Sequence, residues 1–175
     1  MVVKSYIYKN LRQINRLYME SSSVQNGLFF SKLATLELCG WIEISMDEIV
    51  GNLSIRLVKD SGNRKYFEKE VMKKIHGFNY ERHFRQMLIA LVGLHGVERI
   101  EKKVDPTLFH PMVAALNTLN PYRNKHAHEY IKGTTLQLDA PSKTLNMFKT
   151  VHAGLIDIDR VLKSIKWSFK QTISA

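Results

Sequence analysis

The amino-acid sequence predicts an all-α, single-domain bundle of about five or six helices. Three observations carry this. Apolar residues recur at three- and four-residue intervals along nearly the whole chain, the spacing of one helix face. The breaks between these patterns are short and rich in Ser, Gly, Asn and Pro. No linker, internal repeat or glycine-rich phosphate loop divides the 175 residues, so residues 1–175 are read as one domain able to bury its own core.

Tyr6, Ile7, Leu11, Ile14, Leu17 and Tyr18 place a first helix, and Ser21-Ser22-Ser23 offer hydroxyls for a break or an N-cap. From Leu28 a longer pattern runs through Leu33, Leu36, Trp41, Ile44, Ile49 and Leu53 towards Val58. It predicts one long helix ended by the turn signal Asp60-Ser61-Gly62-Asn63. Gly40 inside it marks a bend or a close neighbour. Glu37 and Glu43 lie at the edge of its apolar stripe, and Glu37 is the auxiliary candidate for facing a site. Residues 65–75 read as a short basic helix closed by His76-Gly77.

Residues 80–100 are apolar over most of a helix circumference, the profile of a central helix. Asp105-Pro106 opens another, with proline in the first turn behind an acidic cap. Phe109, Met112, Val113, Leu116 and Leu119 carry it to Asn120-Pro121, where an interruption is expected. A separate helix then runs from there to Ile131 and stops at Gly133. Residues 134–141 form an extended loop or short bridge, and a last helix covers roughly residues 142–169.

Charge narrows the partners. Lys and Arg outnumber Asp and Glu by 26 to 16, a formal charge of +10 that attracts polyanions, of which RNA and DNA are the common soluble ones. The single cysteine, Cys39, sits in an apolar stretch with no basic neighbour in sequence, which reads as a small buried core residue in a reducing compartment. No stretch approaches the roughly 20 apolar residues of a membrane span, and residues 1–20 show no cleavable leader pattern, so a soluble cytoplasmic protein without a membrane partner is expected. The basic residues Lys65, Lys69 and Lys73, together with Lys125, are the candidates for guiding RNA; a solvated charged face is the alternative.

Chemistry concentrates in Arg123-Asn124-Lys125-His126-Ala127-His128-Glu129-Tyr130. At about 100° per residue Asn124 and His128 share a face, with Arg123 on the neighbouring row. An interruption at Pro121 would put Arg123 near a helix N-terminus, where free N–H groups and the dipole favour an anion. A phosphate held there would bring an attached hydroxyl to His128. That arrangement suits RNA cleavage by internal transfer, with histidine moving the proton and arginine stabilising the phosphorane. No metal or cofactor is implied. His126 and His128 diverge by about 200° on a helix, which argues against a metal chelate. His126 is either auxiliary at the site or structural.

Arg123-Asn124-x-x-x-His128 in the C-terminal half of a small all-α domain resembles the R-x4–6-H motif of the HEPN superfamily. The tract from Gly133-Thr134-Thr135 to Asp139-Ala140-Pro141-Ser142, leading into a helix, is similar to the RiboL-PSP-type branch. The resemblance implies a metal-independent endoribonuclease that dimerises to form a shared cleft, acting as a toxin or anti-phage defence effector. It makes Arg123 and His128 catalytic, with Asn124 as the usual polar neighbour. The R-x4-H-x-Y form, found in toxins paired with a nucleotidyltransferase antitoxin, would make Tyr130 an AMP acceptor. Two other readings stand beside the enzyme: a non-catalytic RNA- or nucleotide-binding module, and a helical subunit whose basic surface meets an acidic protein.

Overall fold

The computed structural model describes residue 2 and residues 5–128, 130–133 and 138–167. Among these, six α-helices and no strand are present: α1 (Ser5–Glu20), α2 (Val24–Leu57), α3 (Ser61–Glu70), α4 (Arg85–Glu101), α5 (Pro106–His128) and α6 (Pro141–Ser164). The all-α bundle expected from the apolar spacing is therefore the fold. No helix among the described residues is long and apolar enough to cross a membrane.

Helix α2 is the spine. Its 34 residues span about 50 Å at 1.5 Å per residue, and α1, α5 and α6 pack along it. Leu38, Ile42, Met46 and Leu53 from α2 meet Leu11 of α1, Met112 and Leu116 of α5, and Val151 and Leu155 of α6 in one core; all are at most 2% exposed. Burying each such side chain contributes roughly 1.5–3 kcal/mol, which outweighs weak local propensities. Helix α6 comes close to α5 because residue 154 is glycine: a Cβ there would lie 2.6 Å from both Cβ and Sδ of Met112.

Helix starts follow the polar caps. Ser23 accepts a hydrogen bond from the Asn26 N–H at 3.3 Å, so the serine cluster caps α2. Asp60 accepts from the Asn63 N–H at 2.7 Å, so the expected turn is the N-cap of α3 itself. The basic stretch is displaced from the expected residues 65–75: α3 begins at Ser61 and ends at Glu70, and a 3₁₀ turn, Met72–Lys74, follows. The helix expected from residue 80 opens with one π turn, Tyr80–Phe84, in which the Arg85 N–H donates to the Tyr80 carbonyl, and α4 is kinked at Gly93 (φ +69°).

The main departure is α5. It runs unbroken through Pro121 and ends at His128, whereas an interruption at Asn120-Pro121 and a new helix reaching Ile131 were expected. Pro121 is exposed, and Leu116 and Leu119 before it and His126 after it are buried on one stripe. Tertiary packing on both sides thus holds the helix across the proline, against an intrinsic penalty of about 3 kcal/mol. The last helix starts at Pro141 and stops at Ser164, short of the expected end. The expected extended loop at residues 134–137 lies outside the described residues.

Candidate functional site on helix α5

Met112, Leu116, Leu119 and His126 are the buried positions of α5. Arg123 falls into the same four–three spacing, but its long side chain emerges at the edge of the interface. Its Nη2 donates to Oε1 of Glu43 on α2 at 3.4 Å, and its Nη1 donates to Oδ1 of Asn124 at 3.3 Å. The two side chains of the pair are 37% and 31% exposed, so the guanidinium is held yet open to solvent. It forms one wall of a cleft of about 440 Å³ whose other polar lining is Glu43, Asp47, Glu68, Lys73 and His76.

The cleft has perturbed electrostatics. Glu43 and Asp47 stand one turn apart on α2, so their charges repel. Burial first, and Glu43 second, hold the Asp47 carboxyl above the usual carboxylate range, with His76 opposing. Burial and Glu43 likewise push the Cys39 thiol up to about 12, against the pull of Arg123. Cys39 is therefore protonated at neutral pH and buried, as expected of a core cysteine rather than a nucleophile. Packed against Gly77 of the cleft lining, His83 accepts a hydrogen bond at Nδ1 from the Asn79 N–H at 3.0 Å. Burial lowers its pKa, with Glu43 opposing.

The other expected site residues separate. Asn124, Lys125 and His128 are exposed on the last turns of α5. His126 points the other way: it is 7% exposed and lines a second cavity of about 530 Å³ with Leu28, Thr35, Tyr122 and Lys125. The two imidazoles thus lie on different sides of the helix, as their spacing requires. Tyr130 is 74% exposed, with the Lys132 ammonium 4.9 Å from its ring centre. Glu37 accepts from Asn10 of α1 at 3.2 Å and is not brought to Arg123; the carboxylate beside the arginine is Glu43. Lys65 and Lys69 are exposed on α3, and Lys73 reaches the cleft wall, paired with Glu68 at 3.5 Å.

The unbroken α5 changes the anion argument. Arg123 lies near the C-terminal end of the helix, where the dipole favours cations, so no helix N-terminus assists a phosphate there. Any anion at this site rests on side chains, the guanidinium first, and not on a helix end. Asp47 and His76 escaped sequence reasoning. The signal for Asp47 was its four-residue spacing from Glu43, while His76 sits beside a glycine that reads only as a helix stop. No protein-family model matches the chain, and no curated protein or solved structure is found to be similar to it.

Proposed function

We propose that the chain is a HEPN-type endoribonuclease, working as a homodimer. What supports this reading is a single arrangement. Glu43 and Asn124 fix Arg123 while leaving it half-exposed, and Asn124 and His128 are exposed on the same end of α5. The guanidinium has five N–H donors, so donors remain for a phosphate beyond the two engaged here. In the proposed reaction His128 takes the proton of a ribose 2′-OH, and the freed oxygen attacks the adjacent phosphorus. Arg123 stabilises the added negative charge on the phosphorane. The 5′-oxygen departs with a proton from a second imidazole, leaving a 2′,3′-cyclic phosphate and a 5′-OH. One chain supplies one exposed motif histidine, and the partner's His128 supplies the other across a two-fold axis beside α5.

Within this proposal the protein is a cytoplasmic toxin or anti-phage effector controlled by an antitoxin or defence partner, and exposed Tyr130 is an accessible AMP acceptor. The test is subunit mixing. Arg123→Ala and His128→Ala proteins are each inactive on RNA, and exchanging His128→Ala chains into wild-type protein lowers cleavage below the wild-type share, because a mixed dimer holds one motif imidazole where the reaction needs two. Wild-type activity in either single variant refutes the assignment.

One observation favours a second reading, a binding or regulatory module without turnover. Arg123 is already neutralised by Glu43, and Asp47 adds negative charge beside it, which opposes a phosphate. That reading predicts saturable, salt-sensitive RNA binding and intact RNA at high protein concentration.

A further inference from the structure

A groove of about 710 Å³ runs between α1 and α6, away from the Arg123 cleft. Its charged lining is Lys9, Arg12 and Arg16 from α1 and Lys149 from α6, with no carboxylate among the lining residues. The α1 cations repeat at three and four residues and so lie on one face. Arg16 also reaches Glu20 at the rim, at 3.8 Å with both side chains 63% exposed, a pairing worth little in water. Tyr8 lies in the same groove, with the Arg12 guanidinium 5.7 Å from its ring centre. Asn15 lines the groove as well, and its side-chain oxygen is buried without a hydrogen-bond partner among the described residues.

The groove continues towards the His126 side of α5. Met19 lines both this groove and a neighbouring depression beside Ser21-Ser22-Ser23. Leu28 and Leu138 line both that depression and the cavity of Tyr122, Lys125 and His126. The one acidic residue of that last cavity, Asp139, is paired with Lys143 at 2.9 Å.

We infer that this continuous path is the track of single-stranded RNA. The groove supplies cations for the backbone phosphates. Tyr8 with Arg12, and Tyr122 beyond, offer flat faces for unpaired bases. The orphaned Asn15 oxygen offers an acceptor for a base amino or imino group. RNA is preferred to DNA only because the track ends at Tyr122, Lys125 and His126 on the helix that carries the ribonuclease motif, so that choice rests on the proposed function; the groove does not.

The test uses the whole chain and a 2′-O-methyl RNA 15-mer of mixed sequence, which lacks the attacking hydroxyl and cannot be cleaved by internal transfer. Binding is followed by fluorescence anisotropy against salt. Replacing Lys9, Arg12, Arg16 and Lys149 by Gln lowers affinity at least tenfold near physiological salt. It also flattens the log K against log salt slope by up to roughly 3, at roughly 0.7 per phosphate contact. Should the fourfold variant misfold, Arg12→Gln and Lys149→Gln singly each reduce the slope by roughly 0.7. An unchanged slope overturns the track, as does an equal loss from Lys65→Gln with Lys69→Gln on α3. A groove needed only for phosphatidylserine vesicles, and not for RNA, overturns it too. Groove-dependent binding with no cleavage of natural RNA keeps the track and removes the ribonuclease. Cleavage with groove-independent binding does the reverse.

Discussion

Replacing Glu43 by Gln keeps the side chain's shape and removes its charge, and so isolates the pair that holds Arg123. The oxygen and nitrogen are 3.4 Å apart, which gives an attraction of about 1.2 kcal/mol at the dielectric of water and about 5 kcal/mol at an effective value near 20. Both side chains are about one-third exposed, so solvent screening and side-chain entropy bring the net value towards the lower figure. We expect Glu43→Gln to cost about 1 kcal/mol, a fall in Tm of about 2–4 °C for a chain of this size. The sharper readout is a double-mutant cycle with Arg123→Gln in urea. The double variant should be only slightly less stable than either single one, a coupling of about 1 kcal/mol. The Glu43→Gln change also removes one of the causes that raise the Asp47 carboxyl, so its titration moves down. Additive effects, with coupling under about 0.3 kcal/mol, would show that Glu43 does not hold the arginine.

Two further outcomes follow from packing and titration. Gly154→Ala places a methyl group 2.6 Å from Met112, so it destabilises by about 1–3 kcal/mol in chemical denaturation despite alanine's better helix propensity; a stabilised variant contradicts the close approach. Burial and a hydrogen bond accepted at Nδ1 favour neutral His83, whose pKa is lowered below its ordinary value of 6.5. Its stabilising share is present above the unfolded pKa and is lost as pH falls through the lower folded value. Wild-type protein therefore loses more stability than His83→Asn between about pH 7.5 and about pH 5.5, and identical pH profiles refute this.

The fold was legible where burial and capping agree. The apolar spacing of α1 and α2 and the hydroxyl of Ser23 have local physical consequences that the structure follows, whereas Asp60, read as a turn, caps a helix that begins four residues before the expected start. Pro121 misled because its penalty is local while the packing that overrides it comes from α2 and α6, distant in sequence. The site divided in the same way. Residue spacing along one helix sufficed to separate His126 from His128. The partner of Arg123 could not be read from spacing, since Glu43 is 80 residues away, and Glu37, an equally plausible carboxylate at the stripe's edge, turned to α1 instead. The α1–α6 groove was not legible for a related reason: nothing in the spacing of Lys9, Arg12 and Arg16 shows that Lys149, far away in sequence, lies opposite them.

We propose that His128 and Arg123 cleave RNA by attack of the neighbouring 2′-OH. Incubating total RNA with wild-type and His128→Ala protein in chelator, followed by end-group mapping, tests it most directly. The wild-type chain should leave 2′,3′-cyclic phosphate and 5′-OH ends, and a folded His128→Ala variant should leave the RNA intact. Products ending in 3′-OH, or undiminished cleavage by the variant, would contradict it.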